Sequence, residues 1–190
     1  MTIKIKKANR FSVLLLGFIM LAAIPAWAQS MDHSTMGAHG MDAQSYSDQA
    51  FLSAMIVHHQ AAVEMSQAVI RDGRDSQVKK WAEDIIKAQN EEIEKMKQWL
   101  TDLGGENVQA ASAMSRSMRE MMAGGQMNDA DRDFITMMIV HHAGAVQMAT
   151  EAIVKSDDQR IIDLSRDIIN TQVEEIIEYK SWLKQNQIGA

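Results

Sequence analysis

The sequence predicts an all-α protein: an up-and-down four-helix bundle made of two repeated helical hairpins, with a Met-rich crossover helix between them. Three observations point there. The chain repeats itself at an offset of 83 residues, and Phe51–Leu100 laid without a gap on Phe134–Leu183 gives 21 identities in 50 positions. Apolar residues in both copies recur at helical spacing, interrupted by short polar breaks. Aromatic residues are few, and the single proline, Pro25, stands near the start of the chain, so nothing interrupts long helices afterwards. Loops of a few residues inside each copy make antiparallel neighbours, and two such hairpins make a bundle.

Residues 1–28 read as a signal peptide. Lys4, Lys6, Lys7 and Arg10 form a basic start, Phe11 to Ala26 is apolar, and Ala26-Trp27-Ala28 is an A-x-A cleavage pattern. The location predicted from this is periplasmic or secreted. Cleavage before Gln29 removes four basic residues and no acidic ones, taking the formal net charge from −6 to −10. An acidic surface argues against nucleic acid and favours cationic ligands. There is no cysteine, so neither a disulfide nor a thiolate ligand is available.

Residues 29–46 read as a flexible tail carrying Met31, His33, Met36, His39 and Met41 without periodicity. A short His-rich tract hints at metal binding but also fits an ordinary polar leader. The bundle domain is expected over residues 47–187, as repeats 47–103 and 129–187. The first helix is predicted from a cap at Ser47 or Asp48 to about Arg71, stopped by Gly73. Its inward stripe holds Phe51, Leu52, Met55, His58, His59, Ala62, Met65 and Val69. The second starts near Asp75 or Ser76 and ends before Gly104-Gly105. Gln89 and Glu92 interrupt its apolar stripe, as Gln172 and Glu175 do in the second copy. A buried carboxylate needs a partner. Glu92 and Glu175 therefore either accept a hydrogen bond from a ligand histidine or reach solvent at the bundle edge. The crossover helix, 107–123, carries Met114, Met118 and Met121 on one stripe, which serves equally as adaptable core filler or as auxiliary metal donors. The fourth helix follows Asn128 or Asp129 and runs to about Lys155; the fifth spans about Asp157 to Gln187.

Histidine and methionine carry the chemical signal. Each copy contains the phrase Met-Ile-Val-His-His followed by Ala and Met: Met55, His58, His59 and Met65, then Met138, His141, His142 and Met148. The spacing sets imidazole and thioether on neighbouring turns of one helix face. Soft ions such as Cu(I) take such donors, whereas Ca²⁺ and Mg²⁺ want clusters of oxygen donors. A di-iron bundle requires Glu-x-x-His in two helices, and no such motif occurs. The duplication predicts two pseudo-equivalent sites or one site shared between the halves.

These paired phrases, Phe51-x3-Met55-Ile-x-His58-His59-x2-Ala62-x2-Met65 and its copy from Phe134 to Met148, resemble the CopM-like periplasmic copper-binding proteins, a ferritin-like domain family formerly of unknown function. The resemblance covers about residues 47–185. It implies a secreted ferritin-like bundle that binds copper, including Cu(I), through Met and His and contributes to copper resistance. The expected function is thus sequestration or transfer of Cu(I), with Ag(I) as a second soft ion, alongside other periplasmic copper-handling proteins, and without enzymatic activity. A metal-dependent oxidoreductase and a metal-free cell-envelope interaction module are the alternatives. Changing His58 and His59 to Ala is expected to weaken copper binding while the bundle stays helical.

Overall fold

The structure, a computed structural model, describes residues 46–123 and 129–186. The signal-peptide and cleavage assignments and all five Met and His residues of the N-terminal tail lie outside the described residues. Within them the chain is helical: α1 Asp48–Asp72, α2 Ser76–Asp102, α3 Val108–Ala123, α4 Ala130–Lys155 and α5 Gln159–Gln185. None of these helices is long and apolar enough to cross a membrane.

The helix starts follow from local chemistry. The Ser47 hydroxyl accepts the Ala50 N–H, the Asp75 carboxylate those of Gln77 and Val78, and Asp129 those of Asp131 and Arg132. Asp158 accepts from Arg160, so α5 begins at Gln159, two residues later than the sequence suggested. Each cap satisfies amide groups that have no partner inside the helix. At the end of α2 the chain turns through Gly104 and Gly105, with φ of +89° and +99°. Both values lie in the left-handed region that a Cβ disfavours.

Helices α1 and α4 run antiparallel through the centre. Phe51, Leu52, Met55 and Ile56 at the start of α1 share a core cluster with Ala145, Ala149 and Ala152 near the end of α4. Ala62, Met65 and Val69 from the end of α1 share a second cluster with Phe134, Ile135 and Met138 from the start of α4. Helix α2 packs on α1 and α5 on α4. The outer helices also meet at both ends. Arg160 pairs with Asp102 at 2.9 Å and lies over the Trp99 ring, and Trp81 meets Tyr179 edge-on at 5.1 Å between centroids. The crossover α3 lies against α1. It is anchored where Asn107 N–H donates to the Ser53 hydroxyl at 2.8 Å and the Gln49 amide donates to the Gly105 carbonyl at 2.9 Å. Met114 is buried there, while Met121 and Met122 pack against the second cluster.

One tie crosses the repeats at the end of the bundle. Asp131, buried at the start of α4, accepts the N–H groups of Arg74 and Asp75 in the α1–α2 loop at 2.8 and 3.1 Å. Gly73 lies directly under this carboxylate. A Cβ at Gly73 would collide with Asp131 Oδ1 and stand 2.7 Å from the Val69 carbonyl oxygen. Gly73→Ala is therefore expected to destabilise the protein by about 1–3 kcal/mol, the usual range for overpacking a filled site. Urea unfolding of the variant measures it; an unchanged midpoint would show that the loop moves aside freely.

Candidate metal centre

The four histidines of the repeated phrases sit at the crossing of α1 and α4, and all are buried. The rings of His58 and His141 face each other with centroids 3.7 Å apart, at the middle of the molecule's internal two-fold relation. Their hydrogen bonds cross over. His141 Nε2 donates to the carbonyl oxygen of His58 at 2.9 Å, and the His58 ring bonds to the His141 backbone in return. A carbonyl only accepts, so the proton of each of these rings is on Nε2. Burial, with the neighbouring imidazoles adding to it, holds both rings well below the usual histidine range, so both are neutral.

His59 and His142 turn outward toward α2 and α5. His59 Nε2 lies 2.7 Å from Glu92 Oε2, and His142 Nε2 lies 2.8 Å from Glu175 Oε2, the latter at an angle that falls short of a full hydrogen bond. The two carboxylate side chains are 19% and 22% exposed. Each glutamate thus stands at the bundle edge, in reach of water, and faces a histidine; only Glu92 completes the hydrogen bond.

The Nε2 atoms are engaged or faced by an acceptor; the Nδ1 atoms are not. All four Nδ1 atoms are buried without a hydrogen-bond partner. A neutral imidazole whose N–H is fixed by a carbonyl or carboxylate presents an oriented lone pair on its other nitrogen. That is the arrangement by which a histidine is prepared to ligate a metal.

Three methionines of the phrases, Met55, Met65 and Met138, are also buried and Met148 is half-buried, but the structure regroups them. Met55 of the first copy shares a cluster with Met148 of the second, and Met138 of the second copy shares the other cluster with Met65 of the first. The antiparallel crossing causes this, since each copy's leading thioether lies beside its partner's trailing one. Of the crossover methionines only Met114 is buried; Met118 and Met121 are half-buried. Among the described residues no three His, Asp or Glu side chains converge as metal ligands. A metal held there would need thioether donors beside the imidazoles, which favours a soft ion.

Position 96 belongs with these residues. Met96 is fully buried in the cluster of Met55 and Met148. On the sequence it reads as one more apolar residue of the α2 stripe, and the repeat breaks there, with Tyr179 in the matching place. That break was the available signal.

The family profile described as Domain of unknown function (DUF305) matches residues 48–183. No protein of curated function matches the chain significantly. Among solved structures, CopM in its Cu(I)-bound form is 30% identical with a TM-score of 0.61, over 76% of this chain and 100% of that one. CopM in its Cu(II)-bound form is 29% identical with a TM-score of 0.62, over 75% and 99%. CopM soaked with silver is 30% identical with a TM-score of 0.61, over 74% and 98%. A DUF305 chain from Streptomyces coelicolor, described as a candidate secreted protein, is 27% identical with a TM-score of 0.60, over 73% and 92%. The helical architecture is common to all of these, and the chain, matched through nearly all of its helical part, belongs to the DUF305 family.

Proposed function

We propose that this protein binds Cu(I), and Ag(I) as its soft analogue, in the periplasm or outside the cell, and holds or passes on the ion so as to limit copper toxicity. The observation that carries this is the set of four buried imidazoles with free Nδ1 atoms, flanked on both sides by buried thioethers. The ion is cargo here. His58, His59, His141 and His142 offer nitrogen, while Met55, Met148, Met65 and Met138 offer sulfur. Leaving polar atoms unpartnered in a core costs stability unless something occupies them. A soft cation would remove that cost and needs no converging carboxylates. The CopM structures with copper and silver support the same reading for a chain of this family. Met31, His33, Met36, His39 and Met41 would serve as a capture arm, and Met114, Met118 and Met121 as auxiliary donors. A di-iron oxidoreductase would need a carboxylate-rich centre, and among the described residues no such group converges.

An anaerobic Cu(I) titration against a competing chelator tests this. Residues 29–190 and a shorter chain starting at Ala43 are compared. Tight binding retained by the shorter chain is the expected result. Binding lost with the tail would make the tail the trap and leave the four histidines as core residues. Absence of tight binding by both would favour the metal-free interaction module.

A further inference from the structure

The repeat that places the histidines also marks where the halves diverge. At the 83-residue offset Met96 corresponds to Tyr179, and Leu164 corresponds to Trp81. The pair Trp81–Tyr179 in one half is thus replaced by Leu164–Met96 in the other. Tyr179 is fully buried, edge-on to Trp81, with its ring centroid 5.8 Å from that of His142. Two interlocked aromatic rings fill that end of the bundle with stiff side chains. The phenol next to His142 is a hard oxygen, buried in that end of the core. A neutral phenol is a poor ligand for a soft ion.

The other end has the opposite character. Met96 holds the position that matches Tyr179 in the repeat, one helical turn after Glu92, the partner of His59. It shares a cluster with Met55, Leu164 and the half-buried Met148. Met55 precedes His59 by four residues, so thioether and imidazole lie on one face of α1. His59 Nε2 is held by Glu92 at 2.7 Å, and its Nδ1 is buried without a partner. Methionine side chains are flexible and polarisable, so they can close around an ion without disturbing helix packing.

We propose that the two halves of the bundle are chemically unequal: one soft monovalent cation binds in the half containing Met96, with His59 Nδ1 and the sulfurs of Met55, Met96 and Met148 as donors, while the Trp81–Tyr179 pair closes the corresponding place in the other half. This rests on the copper-binding reading above and adds to it a ligand, a location and a count. The duplicated phrase supplies symmetric histidines, and positions 96 and 179 decide which side takes the ion. Met148 comes from the second repeat, so the site is complete only when α1 and α4 are packed together.

The test uses the chain from Gln29 and its variants Met96→Leu, Met65→Leu and Tyr179→Phe, titrated anaerobically with Cu(I) against a chelator. Sulfur ligation is counted by X-ray absorption, and helicity is followed by circular dichroism. Leucine replaces methionine at nearly constant volume, so the fold is kept. Met96→Leu is expected to weaken one tight equivalent by at least about tenfold, with one sulfur fewer around copper. Tyr179→Phe is expected to leave all tight equivalents in place, and Met65→Leu to weaken copper binding clearly less than Met96→Leu does. Equal losses from Met96→Leu and Met65→Leu, or no loss from Met96→Leu in a protein that binds copper tightly, would overturn the asymmetry alone. A parent chain without tight binding would overturn the copper reading and this inference with it.

Discussion

The double variant His58→Ala/His59→Ala is expected to lose tight Cu(I) binding and several kcal/mol of folding stability at once. The sequence suggests only the first effect, because it treats the pair as ligands on a helix that would survive without them. The structure adds the second. Both rings are essentially inaccessible, and His58 stacks on His141 at the centre of the core. Truncating two buried rings leaves cavities costing roughly 3–6 kcal/mol together, by analogy with other large-to-small core changes. That is a large share of the typical 5–15 kcal/mol of a domain. Chelator competition and urea unfolding measured on the same samples separate the two effects. A cleaner companion is Glu92→Ala, since Glu92 is 19% exposed and water can take its place. Removing the carboxylate behind His59 should lower metal affinity by about 10–100-fold with little change in unfolding midpoint. If copper affinity survives both variants, the first histidine pair is a core feature and the metal is held elsewhere.

What the sequence disclosed and what it hid divide along physical lines. Ser47, Asp75 and Asp129 cap their helices through bonds that span two or three residues, so local chemistry was enough to place them. The inward stripe of α1 was legible because helical periodicity is local too. Gly73 was legible only as a stop. Its backbone is ordinary, with φ −74° and ψ 166°, and the demand for glycine comes from Asp131, which no local pattern reveals. The grouping of Met55 with Met148, rather than with Met65, follows from the antiparallel crossing of α1 and α4, a contact between residues far apart in the chain. The same holds for the crossed ring-to-backbone bonds of His58 and His141, since a backbone carbonyl has no signature in sequence. Glu92 and Glu175 were visible as polar residues on an apolar stripe. Their partners became identifiable only once α2 and α5 were set beside the histidines.

Acid should unfold the metal-free protein early, and the central histidine pair gives the reason and the direction. His58 and His141 are held well below the ordinary histidine range, first by burial and then by the other imidazoles packed around them. In the unfolded chain both titrate near 6.5. Above that pH both states carry neutral rings and the pair contributes no pH dependence. Below it the unfolded chain gains protons that the folded protein refuses, so stability falls as pH falls. Each histidine then removes about 1.4 kcal/mol per pH unit. Together they should remove roughly 4 kcal/mol between pH 7 and pH 5, while their folded-state values stay below that range. Urea midpoints at pH 7, 6 and 5 measure this, and His141→Gln isolates it from the titration of surface carboxylates. The variant should lose stability overall yet show about half the acid slope attributed to the pair. An acid slope unchanged by His141→Gln would mean that the ring takes up a proton inside the folded bundle. The core at the α1–α4 crossing would then be open enough to solvate a charge, contrary to its burial.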